Sequence, residues 1–350
     1  MVFIPSEGSA QSKKVLIIMN SSDDDPECLF AYALQNSIFF ESMEIFHSIC
    51  SIIGIFLLIN ALLIDRRRQQ DWNIDKVVTY ITSIAMIVHN TATTLIVVLA
   101  MINKSQASTF CDLTITTSSC LCLRIPTITA IIVVSLASFT VVCSHSVQLV
   151  TTCKGFCRFY ENTLGIGFII IASAGTSAYI FYEEVATEIK PYCIAESSHN
   201  RDKMLTMYET LAIVDVTCAI LCFALVAATR HKLQSNSHEF KLSLHFELRS
   251  NARALKTNLI KCLVRIFIFD TFLFLNFVIR VVIDRTTNRL GYTEWVNANY
   301  NIQVYAILYA ILIQYDRKIV TSSRRVIDSG AEADQYHQEM MKTWLTDIKR

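Results

Sequence analysis

Seven apolar stretches constrain this chain more than anything else in it: Ile38–Ile64, Val77–Ile102, Leu121–Gln148, Leu164–Tyr182, Met204–Thr229, Leu259–Val282 and Val296–Tyr315. A helix needs about 20 predominantly apolar residues to cross the hydrocarbon of a bilayer, and every stretch reaches that length. Only helices and closed barrels satisfy their backbone in lipid, so the expected fold is all-α, an integral membrane bundle of seven spanning helices. Residues 1–37 precede the bundle, 38–315 form it, and 316–350 are a tail. Lys13 and Lys14 precede an apolar run, Val15–Met19, too short for a secretory signal, so the first span is expected to direct insertion itself.

The basic residues orient the bundle. Of 31 lysines and arginines, 19 fall between spans one and two, three and four, five and six, and in the tail; 8 fall on the opposite face; Arg124, Lys261, Arg265 and Arg280 lie inside spans. The richer face is expected to be cytoplasmic. The sequence has two Asn-x-Ser/Thr acceptors, at Asn20 and Asn103, and both fall on the other face, where they are candidate glycosylation sites. The two signals agree on an amino terminus outside and a carboxyl terminus inside, the arrangement of a G-protein-coupled receptor.

Mean hydropathy of +0.41, with 17% charged residues and a net charge of +1, suits a membrane protein and gives no footing for nucleic acid. The outer face favours disulfides. Cys193, between spans four and five, is expected to bond either Cys120 or Cys122 at the head of span three, while Cys111 lies farther out in its loop. Cys143, Cys153 and Cys157 fall on the reducing side, and Cys50, Cys218, Cys222 and Cys262 read as small packing residues.

Ionisable groups within spans are costly, and each marks either an internal pair or a ligand contact. Glu41, Glu44 and His47 are spaced three apart on one surface of span one. Arg124, in the outer part of span three, is expected to pair with one of those carboxylates or to meet ligand. Arg280 is placed to snorkel. Asp215 and Asp270 are each the twelfth residue of their spans, five and six, which run antiparallel. They are expected to lie near the midplane and face each other, as a protonated structural acid or as the floor of a ligand pocket or cation site. Asn297, Asn301 and Gln303 add amides to the outer part of span seven, where Asn297 and Asn299 suit a helix start.

Several functions lack their residues. Span seven has no lysine for a retinal Schiff base, and span three has no acid to pair with an amine ligand. Metal-ligand spacing, a Ser-His-Asp set and a phosphate loop are all missing, so neither an enzyme nor a cofactor or metal is expected. On the cytoplasmic side, Phe240, Leu244, Leu248, Leu255, Leu259 and Leu263 recur at helical spacing, which extends span six inward. Arg249, Arg253 and Lys256 form a basic stripe on that extension, suited to anionic membrane lipid or to a G protein. Tyr336, Met340, Trp344 and Ile348 repeat every four residues in the tail and suggest an amphipathic helix.

The run Phe246-Glu247-Leu248-Arg249-Ser250-Asn251-Ala252-Arg253 resembles the aromatic-Gln-Leu-x-Glu-Asn-x-Arg element before span six of nematode serpentine chemoreceptors of the Sre class, within the Sra superfamily. Phe159-Tyr160-Glu161-Asn162 resembles their Asp-Tyr-Glu element before span four. Glu247 and Ser250 depart from the first pattern, and the Glu-Arg pair at the inner end of span three is absent from Cys143–Leu149, leaving His145 and Gln148 as the only polar residues of any length there. The resemblance implies a multi-pass plasma-membrane receptor, with sensory neuron cilia as one setting. It would bind a small external molecule in the outer half of the bundle and signal to a heterotrimeric G protein, as a monomer or as a homo- or hetero-oligomer. The alternative is a seven-helix ligand-gated channel or transporter subunit; transporters carry internal repeats and broken helices, and neither is legible in the sequence.

Overall fold

The computed structural model describes residues 25–66, 74–150, 156–184, 189–193, 201–235, 242–283 and 288–328. Among them the helices are α1 (Pro26–Gln35), α2 (Ile38–Arg66), α3 (Ile74–Gln106), α4 (Thr117–Val150), α5 (Phe156–Phe181), α6 (Arg201–Ser235), α7 (Leu242–Val282), α8 (Arg289–Ala298) and α9 (Ile302–Asp328). Helices α2 to α7 carry spans one to six. Five helices, α2 to α6, are long and apolar enough among the described residues to cross a membrane. Helix α7 carries Lys261, Arg265, Asp270 and Arg280 within its apolar part.

Span seven is not the single helix expected over Val296–Tyr315. It divides into α8 and α9 around Asn299–Asn301. The cause is local, because asparagine side chains compete with the helix for backbone partners. Asn299 Nδ2 donates to the Phe272 carbonyl on α7 at 2.8 Å, and Asn301 Nδ2 donates to the Asn299 carbonyl at 3.2 Å. A broken helix is therefore present at the outer end of span seven.

Helix α3 packs along α4, α6 along α7, and α2 against both α3 and α9. Leu58, Met86, Ile131, Tyr305 and Ala306 are buried in the resulting core. Gly54 permits the α2 approach, since a Cβ there would stand 2.7 Å from Asn90 Nδ2 and 3.3 Å from Ala306 Cβ. Phe56, Ile171 and Phe267 are 70%, 74% and 74% exposed, an apolar surface suited to lipid rather than water.

The end of the bundle that holds the α3–α4 and α5–α6 connections, the one expected to face outward, carries a cap that hydropathy does not reveal. Helix α1 begins at Pro26 behind Asp25, whose carboxylate accepts the Glu27 N–H at 2.9 Å. It lies against a 3₁₀ turn, Cys111–Leu113, and is bonded to it by the Cys28–Cys111 disulfide. Gln35 Nε2 donates to the Leu113 carbonyl at 3.0 Å. Arg289 of α8 donates to both Glu27 oxygens at 2.7 Å, and its guanidinium lies 4.0 Å from the centre of the Phe30 ring. Within the turn, N–H groups of Thr109 and Ser108 and the Ser108 hydroxyl donate to Asp112, holding its carboxyl down to about 2. Two short antiparallel strands, β1 (Ile115–Thr116) and β2 (Ile189–Lys190), bring the segment after α5 onto the head of α4. The Cys120–Cys193 disulfide fastens it there, and Cys122 remains a free thiol.

Replacing Cys111 with Ser should loosen α1 selectively. A disulfide typically contributes about 2–4 kcal/mol, so amide exchange across residues 26–35 should speed up by about tenfold or more while α4 is unchanged. Unaltered exchange in α1 would mean that the Arg289–Glu27 and Gln35–Leu113 contacts hold the cap by themselves.

Candidate functional site

A cavity of about 80 Å³ opens beneath this cap. Helix α2 contributes Glu44 and His47, α3 Thr93, Ile96 and Val97, and α4 Arg124, Thr127 and Ile128. Cys193, Tyr208 of α6 and Phe272 of α7 close the sides, with Val296, Asn297 and Tyr300 at the α8–α9 break. Helix α3, which carries span two, thus forms one wall of the cavity.

Its polar groups are unusually unsatisfied. His47 Nε2, Asn297 Nδ2 and the Tyr300 hydroxyl are buried without a hydrogen-bond partner among the described residues. Beneath them His89 Nε2 and both amide atoms of Asn90 and Gln303 are in the same condition. A buried polar group left unmatched costs about 1–3 kcal/mol, so a polar molecule that met these groups would remove that cost. The aromatic side is ordered: Tyr208 meets the Phe272 ring edge-on at 5.3 Å, and Phe272 meets Tyr300 at 6.1 Å.

Arg124 is 2% exposed, and its partner is neither Glu41 nor Glu44. Its Nη1 donates to the two oxygens of Glu184 at 2.9 and 3.2 Å, and Lys190 Nζ donates to Glu184 Oε1 at 3.1 Å. The segment following α5 supplies this acid, held in place by the strand pair and the Cys193 disulfide. Glu41 sits outside the cavity on an exposed surface, paired with Lys104 at 3.0 Å. Glu44 lines the cavity, half-buried, with no ion pair or hydrogen bond among the described residues.

The expected meeting of Asp215 with Asp270 does not occur. Asp215 is fully buried and takes Arg265 of α7: Nε donates to Oδ2 at 2.5 Å, and Nη2 donates to Oδ1. Arg265 Nη1 also donates to the Val134 carbonyl at 2.6 Å and to Ser138 Oγ at 3.1 Å, both on α4. Asp270 is exposed on the outside of α7. Five residues turn a helix by about 140° from a given side chain, so Arg265 and Asp270 cannot both face inward. A cationic partner offsets the cost of burying Asp215, whereas a second carboxylate would have raised it. Neither acid lines the cavity.

Asn301 lies at the α8–α9 break, half-buried and outside the cavity lining. At the opposite end, His145 Nε2 lies 3.0 Å from Asp75 Oδ1, joining the inner ends of α4 and α3 where the Glu-Arg pair is missing. Helix α7 begins at Leu242, well before the apolar stretch of span six, and Lys256 is exposed on it; Arg249 and Arg253 belong to the same helix, with side chains outside the described residues. Asn103 lies in the last turns of α3, partly exposed. Asn20 and the Tyr336–Ile348 repeat lie outside the described residues.

Glu184→Gln should be severely destabilising, since it leaves Arg124 and Lys190 together without their acid. Breaking one side of a buried pair costs about 3–5 kcal/mol, so thermal unfolding of the purified protein should shift down sharply, and Arg124→Met combined with Glu184→Met should recover part of the loss. An unshifted transition in Glu184→Gln would show that the pair does not hold the loop.

No curated protein matches the chain. Residues 26–345 match the family described as serpentine type 7TM GPCR receptor class ab chemoreceptor; the description names class ab, where the two short motifs suggested Sre. The match begins at the first residue of α1 and takes in the whole helical bundle, so this chain belongs to the class ab serpentine seven-transmembrane chemoreceptor family.

Proposed function

We propose that this protein is a plasma-membrane chemosensory receptor, amino terminus outside, that binds a small external molecule in the cavity beneath the cap and signals to a heterotrimeric G protein at the inner end of α7. The observation that carries the reading is the cavity, with unpartnered polar atoms from α2, α8 and the α8–α9 break converging on an apolar wall. Helix α7 supplies the link. Phe272 lines the cavity, Arg265 is locked to α6 and α4, and Lys256 is exposed on the same helix, about 24 Å along the axis from Phe272. Ligand that favours one position of Phe272 therefore biases the inner end of a rigid rod.

Orientation is supported by three independent features. The basic asymmetry and the two sequons agree, and both disulfides lie at the end assigned to the oxidising side. Glycan is expected on Asn20 and Asn103, and a carboxyl-terminal tag should be reached by antibody only in permeabilised cells. Labelling of that tag on intact cells would overturn the receptor reading.

Arg249, Arg253 and Lys256 are assigned to the G-protein contact. Replacing all three with Ala should weaken G-protein activation by at least about fivefold, a coupling loss of about 1 kcal/mol, at normal surface expression. Undiminished activation would leave the stripe as a lipid contact. The break between α8 and α9 favours one other reading, a ligand-gated channel or transporter subunit. Ligand-evoked current without G-protein activation would select it.

A further inference from the structure

The cavity has a carboxylate, Glu44, and a guanidinium, Arg124, on its wall, and their situations differ. Arg124 donates to both oxygens of Glu184, an acid it shares with Lys190. Glu44 has no ion pair or hydrogen bond among the described residues, and Lys104 is already bonded to Glu41. The remaining lining from α3, α6, α7 and α8 carries no charge. Among the described residues, the charged side chain of this lining that has no ion-pair partner is therefore Glu44, and it is negative.

The neighbours suit the same sign. Tyr208, Phe272 and Tyr300 present aromatic rings, whose faces attract a cation. The unpartnered His47 Nε2 accepts a hydrogen bond in one tautomer, and the Tyr300 hydroxyl accepts or donates. Ile96, Val97, Ile128 and Val296 supply the apolar remainder. We infer that the cavity takes a small organic amine, its ammonium on the Glu44 carboxylate and its hydrocarbon against α3 and α4. Span three lacks the acid that an amine ligand would use there, and α2 supplies one instead. The inference rests on the reading of this cavity as the ligand site, and it adds the chemical class.

The test uses one hydrocarbon frame with three head groups: cyclohexylamine, cyclohexanol and cyclohexanecarboxylate, titrated at neutral pH into the full-length receptor in lipid nanodiscs. Binding is read by saturation-transfer NMR. The amine should bind at least about tenfold more tightly than the other two. Glu44→Gln should weaken the amine by at least about tenfold and leave the alcohol within about twofold, while Glu44→Asp, which keeps the charge, retains the amine preference. Equal amine affinity in wild type and Glu44→Gln overturns the inference, as does tightest binding by the carboxylate, which would make Arg124 the anchor. Tightest binding by the alcohol, unaffected at Glu44, leaves the cavity a ligand site and removes only the amine. Saturable binding by none of the three overturns both the inference and the assignment of the cavity.

Discussion

The ion pair between Arg265 and Asp215 sets the geometry on which the rest depends. Both groups are fully buried, and an isolated charge at that depth is among the least tolerated features of a membrane helix. All three guanidinium nitrogens are used, two on Asp215 and one on the Val134 carbonyl and Ser138 of α4. Any rotation of α7 would strand a charge, so its facing is fixed. Seven residues bring a helix back to within about 20° of the same direction. Asn258, Arg265, Phe272 and Ile279 follow that spacing and are all buried. Asn258 reaches Cys222 of α6 at 3.4 Å, and Phe272 enters the cavity. The residue that locks the helix thus also aims a residue that lines the cavity.

The outer cap does for the mouth of the bundle what the ion pair does for its centre. One disulfide fastens the segment after α5 to α4, and that segment delivers Glu184 to Arg124. The other holds α1, which Arg289 joins to α8. Both ends of the cap bear on elements that line the cavity. Glu184 engages Arg124 from outside the cavity, whereas Glu44 on the cavity wall has no ion pair among the described residues.

Hydropathy made the spanning helices legible because lipid imposes one requirement on all of them, apolar length. Charge placement within them was only half legible. Asp215 stood out as a midspan acid, but matching residue counts along antiparallel spans pointed to Asp270. Depth alone ignores facing, and it ignores the reach of an arginine side chain several residues away. Arg265, a second lone charge in the neighbouring span and of opposite sign, was the available signal. Cys120 was one of two partners foreseen for Cys193. Cys28–Cys111 was not foreseen, because the apolar count gives the segment before Ile38 no structure. Helix α1 could have been sought from Asp25-Pro26-Glu27, an N-cap followed by proline and an acid. Glu184, Asn297 and Tyr300 became site residues only through folding, since nothing local distinguishes them from ordinary loop and helix-end residues.

The most direct measurement is a pair of double-mutant cycles on thermal unfolding of the purified receptor in nanodiscs, one crossing Asp215→Asn with Arg265→Met and the other crossing Asp215→Asn with Asp270→Asn. Removing either member of a buried pair strands the other, so the Asp215 and Arg265 substitutions should each cost about 3–5 kcal/mol and together much less than their sum. Asp270, exposed on the outer face of α7, should couple to Asp215 far more weakly. Additive losses for Asp215 with Arg265, or a larger coupling of Asp215 to Asp270, would contradict the account.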